Sequence, residues 1–233
     1  MSAIIRNSSF AEFIYLASNG RFFKPRTLQD DFVIPEQYFT VDKKTGEILV
    51  GWYGDDDPDN PHNWAFSYKI WVNFLLFIMT MAVYMGSSIV SPAIPEMATY
   101  FGVPEVVGVL SMSLFVWGYG IGPCVLSPIT EISWVGRNGP YIVGLGLFTI
   151  LQVPNALVDN VAGYMIIRFL AGFAGSPVLA TGGASVGDIW SFEGGFPNGL
   201  AFWGFGACGG PTLGPLISGY AVQNLGWRWS IWP

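Results

Sequence analysis

The sequence predicts an all-α membrane protein, and three observations support this class. Of its 233 residues, 52% are hydrophobic and only 11% are charged, whereas soluble domains carry about 25% charged residues. The charges are concentrated early, since residues 1–69 hold seven of the ten Lys and Arg and ten of the sixteen Asp and Glu. Long apolar runs follow. We therefore expect a cytosolic, partly disordered N-terminal tail, 1–69, and a transmembrane domain, 70–233.

Five apolar segments in the second part are long enough to cross a bilayer, which takes about 20 residues at about 1.5 Å each. We place these spans at about 70–90, 106–126, 141–158, 162–187 and 200–222. The last segment, 227–233 (WRWSIWP), is typical of the interfacial beginning of a sixth span, because Trp favours the headgroup level.

The first two spans contain helix-bending and helix-packing residues. The first ends in GSSIVSPAIP, where Pro92 and Pro95 stop or bend the helix, since proline lacks an amide hydrogen and clashes inside a helix. The second contains Gly118 and Gly122, a small-xxx-small pair that lets another membrane helix approach closely. The third span follows the polar link 130–140.

The fourth span carries the most informative residue, Arg168, about six residues or roughly 9 Å inside the helix. A charge near the membrane centre costs on the order of 2.5–3.5 kcal/mol, so its presence needs a reason. Steps of four residues lead to Gly172, Ser176, Ala180 and Ala184. This small-residue face is expected to point into a bundle. Two interpretations stay open: a charge that lines a polar path and biases substrate or proton binding, or a side chain that snorkels to the outer headgroups.

The fifth span is rich in glycine and proline, and its residues four apart form two adjacent small-residue stripes. The first stripe is Gly206, Gly210, Gly214 and Ser218, and the second is Ala207, Pro211, Pro215 and Gly219. Such stripes form a smooth groove for another helix. Because both flanks are apolar, we predict a packed, kinked transmembrane helix rather than a surface loop.

Two further sets of residues are candidates for function. Glu131, Arg137 and Asp188 lie at the ends of neighbouring spans, where they either latch one conformation of the bundle or merely solubilise the loops. Aromatic residues of the first and second spans suit apolar, planar ligands, although packing and lipid anchoring are the alternative. The candidates for substrate lining are Tyr84, Phe115, Trp117 and Tyr119.

Several kinds of chemistry have no support in the sequence. His62 is the only histidine, and Cys124 and Cys208 both lie in apolar segments, so no metal site is indicated. The sequence has no phosphate-binding GxxxxGK[ST] and no GxGxxG after a strand. We therefore expect no enzymatic activity, no metal or organic cofactor and no nucleic-acid partner.

Positive charge decides the expected orientation. Lys69 borders the first span and Arg137 lies between the second and third spans, so both fall on the same side of the membrane. The positive-inside rule places that side, and with it the N-terminus, in the cytosol. Arg228 argues for the opposite orientation.

Four motifs resemble those in the N-terminal half of major facilitator superfamily transporters. More closely, they resemble those of fungal 12-span drug:proton antiporters, including the fluconazole/benomyl resistance transporters. In chain order they are Gly86 with Pro92 and Pro95; 127–131 with Gly136 and Arg137; 168–172; and Gly206, Gly210, Pro211, Gly214, Pro215 and Gly219. The resemblance covers about 55–233.

The resemblance implies a multi-pass plasma-membrane transporter that exports drugs and other amphipathic xenobiotics by alternating access, with the proton as coupling ion. It implies a role for Arg168 in proton coupling and a cytosolic latch built from Glu131, Gly136, Arg137 and Asp188. It also implies that the fifth helix bends at 210–215 and that the N-terminus is cytosolic.

The resemblance is confined to one half of a fold that binds substrate between two six-helix halves. We therefore expect a truncated N-terminal bundle whose partner is the missing C-terminal half, against which the smooth face of the fifth span would pack. One alternative is a non-transporting truncated membrane protein or assembly partner. Another is a polyamine or other small-solute transporter of the same fold.

Overall fold

A computed structural model describes residues 39–41, 48–52, 60–132, 135–192 and 195–232, together with the single residues 15, 18, 56 and 57. Most of the tail expected to be partly disordered lies outside these residues. By its internal contacts the chain divides into two units, 1–64 and 65–233.

The described part of the first unit contains a small sheet and one short helix. Strands β1 (Phe39–Val41) and β2 (Ile48–Val50) pair antiparallel, with Phe39 opposite Val50. Three residues per strand are too few for the period-two alternation that identifies strands, so the sequence did not predict them. A 3₁₀ helix, Pro61–Asn63, follows and is capped by the side chain of Asn60.

The described residues of the second unit form a bundle of six α-helices. They are α1 (Phe66–Ser88), α2 (Ile94–Phe101), α3 (Glu105–Thr130), α4 (Asn138–Leu157), α5 (Val161–Ile189) and α6 (Phe196–Leu225). A 3₁₀ turn, Ser91–Ala93, joins α1 to α2, and another, Trp227–Ser230, follows α6. The five expected spans correspond to α1, α3, α4, α5 and α6.

Four stretches of the described chain are long and apolar enough to cross a membrane. They are Phe66–Phe101, Glu105–Thr130, Asn138–Leu157 and Val161–Ile189. The fifth expected span, α6, is not among these four. It has 30 residues, about 45 Å of helix, but its glycines and prolines make it less hydropathic.

The central helix of the bundle is α5. Of its most apolar window, 61% is buried, compared with 28% or less in the other three candidate spans. It packs against α3, α4 and α1, while α6 packs mainly against α1. The inner residues of the bundle are therefore those of α5, the helix that carries Arg168.

Two pairs of helices approach each other closely through small residues. A Cβ atom at Gly172 of α5 would overlap the carbonyl oxygen of Phe115 in α3, and one at Gly118 would overlap that of Phe169. The small-residue face that begins at Arg168 therefore packs against the Gly118–Gly122 face of α3, as small-xxx-small patterns favour.

The first stripe of α6 packs against α1 in the same way. A Cβ atom at Gly206 would lie 2.7 Å from the carbonyl oxygen of Phe77, and one at Gly210 would lie 2.7 Å from that of Met81. The expectation that this smooth face finds its partner outside the chain is thus wrong for the stripe from Gly206 to Ser218. Tertiary packing brings α1 alongside α6, and α1 fills the groove.

The expected kink in the fifth span is not an interruption of the helix. Helix α6 runs continuously from Phe196 to Leu225 with Pro211 and Pro215 in its interior. Both prolines belong to the second stripe, which is less buried than the first. Proline has no amide hydrogen, so α6 lacks the two backbone hydrogen bonds that these positions would donate and is weaker on its more exposed side.

Candidate functional site

Arg168 lies at the centre of the bundle and is completely buried. Its guanidinium donates hydrogen bonds to two carbonyl oxygens, Nη1 to Gly86 at 3.0 Å and Nη2 to Ser87 at 3.3 Å. It also lies over the ring of Phe115, 4.7 Å from the ring centroid. The side chain therefore points into the bundle, and snorkelling to the headgroups does not occur.

Three helices create this position. The close crossing of α3 and α5 at Gly172 puts the Phe115 ring beside Arg168. The last turn of α1 supplies the two carbonyls, because the final C=O groups of a helix have no partner within it. The negative end of the α1 dipole also faces the guanidinium, an arrangement that favours a cation.

The electrostatics of Arg168 are unusual for a buried charge. None of the ion pairs found among the described residues includes it, and its Nε–H has no hydrogen-bond partner. Nearby lie the buried hydroxyl of Tyr164, which also lacks a partner, and the aromatic face of Phe115. Carbonyl dipoles and a ring thus compensate a charge that most proteins pair with a carboxylate.

Three of the four predicted aromatic residues come together next to Arg168. The rings of Tyr84 and Tyr119 lie edge to face at 5.8 Å, and those of Phe115 and Tyr119 at 6.1 Å. Trp117 does not join them and is 65% exposed. It lies two residues after Phe115, which turns it by about 200° around the helix.

The first-span residues have separate roles. Gly86 accepts the hydrogen bond from Arg168, and a Cβ atom there would lie 2.9 Å from the ring of Phe148. Pro92 lies in the 3₁₀ turn after α1, and Pro95 lies in the first turn of α2, where proline is tolerated. The prolines therefore set the bend between α1 and α2 and do not contact Arg168.

A second polar site, the Arg137 cluster (Glu131, Arg137 and Asp188), lies where the link between α3 and α4 meets the end of α5. Arg137 Nη1 is 2.7 Å from Asp188 Oδ2, and Nη2 is 3.3 Å from Glu131 Oε1. The Arg137 side chain is 20% exposed, whereas both acids are more than half exposed. Gly136 has a φ of +61°, a left-handed conformation that permits the turn before α4.

The hydroxyl group of Tyr141, which was not predicted from the sequence, lies behind this cluster. Tyr141 Oη lies 2.8 Å from both Thr181 Oγ1 and Ser185 Oγ, and Ser185 in turn accepts from Arg137 at 3.4 Å. Tyr141 follows Arg137 by four residues, so both project from the same side of α4. That spacing is the signal that would have identified it.

The residues of the fifth-span motif divide between two sides of α6. Gly206, Gly210 and Gly214 are buried against α1, whereas Pro211, Pro215 and Gly219 are less buried. Only the glycines of the first stripe therefore serve helix packing within the described bundle.

The opposite end of the bundle holds the Arg228 cluster (Tyr100, Asp159 and Arg228), which the sequence did not reveal. Arg228 Nη2 is 2.5 Å from Asp159 Oδ1 and 3.0 Å from Tyr100 Oη, while Tyr100 donates to Asp159 at 2.8 Å. Arg228 Nη1 also donates to the carbonyl of Ala156 at 2.7 Å. The cluster joins α2, the α4–α5 link and the turn after α6 above the buried Trp227.

We expect the Arg228 cluster to weaken in acid. The hydrogen bond from Tyr100, followed by that from Arg228, holds the pKa of the Asp159 carboxyl below its ordinary value of 3.8. A lowered pKa in the folded state means that this contribution to stability is complete above the ordinary value and is lost as the pH falls through the lowered one. Asp159→Asn should therefore lower the Tm at pH 7. The Tm difference between this variant and the unmodified protein should become smaller below pH 3.8.

Thermal unfolding of the purified protein between pH 7 and pH 3 measures this difference. Glu105→Gln is the matched control, because Glu105 forms none of the ion pairs among the described residues. A difference that stays constant across the whole range would contradict the assigned role of Asp159.

Comparison with known proteins gives one family and a set of similar fungal proteins. The model of the Major Facilitator Superfamily matches residues 76–232. The MFS-type transporter pyvG of Aspergillus violaceofuscus is 48% identical over 80% of this chain and 34% of that protein. The Cycloheximide resistance protein of Candida maltosa is 36% identical over 100% of this chain and 48% of that protein. Fluconazole resistance protein 1 of Saccharomyces cerevisiae is 41% identical over 82% of this chain and 34% of that protein.

The chain thus spans between about a third and a half of the length of these curated relatives. No solved structure matches it.

Proposed function

The chain belongs to the major facilitator superfamily, and we propose that it forms the N-terminal bundle of a proton-coupled exporter of drugs and other amphipathic organic molecules. Two of its relatives carry names that refer to cycloheximide and fluconazole resistance. The proposed process is transport by alternating access, without chemical conversion of the substrate. The proposed location is the plasma membrane, with the N-terminus in the cytosol.

The observation that carries this proposal is the buried charge of Arg168. A guanidinium does not lose its proton in proteins, so Arg168 does not itself carry the transported proton. A fixed cation in a low dielectric strongly favours the ionised form of any acid that approaches it. We infer that Arg168 sets the proton affinity of the transport site and that movement of α5 against α1 changes this influence.

The proposed substrate contacts lie beside this charge. Tyr84 and Tyr119 present aromatic faces next to Phe115, which itself covers the guanidinium. Aromatic rings bind planar apolar groups through large contact areas and attract cations over their faces. Substrate and proton would thus affect each other through the single ring of Phe115.

The Arg137 cluster is the proposed cytosolic latch. The pair of Arg137 with Asp188 ties the α3–α4 link to the end of α5, and the pair with Glu131 holds Arg137 within the link. Movement of α5 away from the link would therefore break the first pair. Exposed ion pairs contribute only about 0–1 kcal/mol each, which suits an element that opens in every transport cycle. Tyr141 would hold the guanidinium group of Arg137 in place through Ser185.

We expect a proton gradient to drive export. The full-length protein, expressed in yeast lacking its own drug exporters, should lower the accumulation of labelled fluconazole, and a protonophore should restore it. In inside-out vesicles, an imposed pH difference without ATP should drive uptake of the drug.

Asp188→Asn, which breaks the shorter ion pair of the latch, should slow transport more than Glu131→Gln. The distance of 2.7 Å from Arg137 to Asp188, compared with 3.3 Å to Glu131, indicates that the Asp188 pair is the stronger one.

Export that persists after the pH difference is abolished would refute proton coupling. Equal accumulation with and without the protein, across a panel of amphipathic drugs, would refute drug export itself.

A further inference from the structure

A cavity unrelated to Arg168 lies at the end of the bundle where α1 begins, α5 ends and α6 begins. It has a volume of about 430 Å³, within the range of roughly 300–1,000 Å³ that is typical of small-molecule sites. Its walls include the apolar side chains of Phe66, Ile70 and Phe202, and its polar residues include Asn73 and Trp190. We refer to it as the Asn73 cavity.

Two buried polar atoms of this cavity have no partner in the described protein. Asn73 is 4% exposed and Trp190 is 8% exposed. Asn73 uses its Nδ2 to donate to the carbonyl of Gly199 at 3.1 Å, but its acceptor Oδ1 is unpaired. The donor Nε1 of Trp190 is also unpaired. Leaving such groups unsatisfied is costly, so a built cavity that contains both an acceptor and a donor points to a ligand.

Gly199 brings the two groups together. It accepts the hydrogen bond from Asn73, and a Cβ atom on it would lie 3.0 Å from Trp190 Nε1. The missing side chain therefore leaves the indole N–H and the amide next to the same stretch of backbone at the start of α6. A hydroxyl group is both donor and acceptor, so one hydroxyl has the chemistry that both unpaired atoms lack.

The walls restrict the remainder of the ligand. None of the described lining residues carries a charge, and the charge found next to them is the Lys69 ammonium, 5.3 Å from the centroid of the Trp190 ring on which it lies. Walls without a charge favour an uncharged ligand, because a charged group would lose its hydration on entering. Phe66 is 68% exposed and Phe202 is 39% exposed, which leaves flat aromatic surface for a rigid apolar body. The lining residues Phe66, Ile70 and Asn73 belong to a helix that is long and apolar enough to cross a membrane, so a ligand is able to reach the cavity from the lipid.

We propose that the Asn73 cavity binds a membrane sterol, with the sterol hydroxyl donating to Asn73 Oδ1 and accepting from Trp190 Nε1. The rings of the sterol lie against Phe66, Ile70 and Phe202. This site is separate from Arg168 and its aromatic neighbours, and the proposal does not depend on drug export or on proton coupling.

The test is photolabelling of the purified full-length protein with a photoactivatable, alkyne-tagged cholesterol analogue. We expect the label on peptides from the start of α1 and the start of α6. An excess of ergosterol should remove it, whereas cholestane, the corresponding hydrocarbon without a hydroxyl, should not. Trp190→Phe removes the donor while keeping an aromatic ring, although a smaller one, and should weaken competition by ergosterol about threefold to tenfold, the range expected for one hydrogen bond.

Trp203→Phe is the matched control, because its indole N–H already donates to Thr80 at 2.8 Å. It should leave sterol competition unchanged. Ile70→Trp narrows the cavity from its exposed wall without touching the polar atoms and should also reduce the label, so a folding defect of Trp190→Phe does not decide the outcome. Equal competition by cholestane, or a label that is absent from both peptides, would overturn the proposal.

Discussion

Arg168→Ala is expected to abolish drug export by the full-length protein without removing it from the membrane. In the described helical unit, Arg168 is the fully buried charge, and it ties α5 to the last turn of α1 through Gly86 and Ser87. The substitution leaves both carbonyls without these bonds, at about 1–3 kcal/mol for each unsatisfied group. It also removes the desolvation cost of the charge, so the two effects on stability oppose each other. Resistance should fall to that of the host alone.

The measurement is drug resistance and the proton-dependent efflux rate in the exporter-deleted host, together with the amount of protein in the membrane. Arg168→Lys keeps the charge but lacks the planar fork that reaches two carbonyls, so we expect partial activity. Arg228→Ala is the matched control: it removes an arginine of the bundle end and should lower stability while export persists. Unchanged proton-dependent efflux in Arg168→Ala would disprove the coupling role.

Gly172→Ala is expected to be one of the two most destabilising substitutions of a glycine by alanine that this structure indicates, together with Gly118→Ala. The new Cβ would overlap the carbonyl oxygen of Phe115 and lie 3.0 Å from its carbonyl carbon. Backbone atoms cannot rotate away as a side chain does, so α3 and α5 must separate. Overpacking costs about 1–3 kcal/mol, and at about 2–4 °C per kcal/mol the upper value lowers the Tm by about 6–12 °C.

Gly120→Ala isolates this packing effect. Gly120 also lies in the interior of a long helix, α3, but a Cβ there has no neighbour within 4 Å. Alanine favours the helical conformation over glycine by about 0.5–1 kcal/mol, so the control should leave the Tm unchanged or raise it. Thermal unfolding in detergent compares the two variants. An equal Tm for both would show that α3 and α5 do not cross as closely as the structure indicates.

Phe115 takes part both in the crossing of α3 and α5 and in the contact with Arg168, so the Gly172→Ala variant should also lose export. The carbonyl that it displaces belongs to the residue whose ring covers Arg168. The packing of α3 on α5 and the environment of Arg168 are therefore linked through Phe115. An export defect in Gly172→Ala with a normal Tm would show that displacement of the Phe115 ring, and not separation of the helices, causes the loss.

Much of the bundle was predictable from local pattern. Five apolar segments anticipated α1, α3, α4, α5 and α6 to within about four residues at each end, because hydrophobic length is a local property. The residues Glu131, Arg137 and Asp188, which the sequence places at helix ends, form two ion pairs in the structure, and their role as a latch stays a prediction. Trp117 was predicted as a possible substrate contact, and that role stays a prediction. Its side chain is 65% exposed, so it lies apart from the other predicted aromatic residues. Spacing along a helix shows the face on which a residue lies, but not which neighbouring helix meets that face.

The sequence by itself determined the class of the protein, its spans and the small-residue stripes that allow close packing. Only the tertiary structure decided which helices those stripes join: α6 with α1, and α5 with α3. It also decided the partners of Arg168, which are carbonyls 81 and 82 positions away along the chain, and those of Arg228, 69 and 128 positions away. The physical reason is that a backbone carbonyl has no side-chain signature, since every residue carries one. Its role as an acceptor depends on where the end of a helix lies in three dimensions.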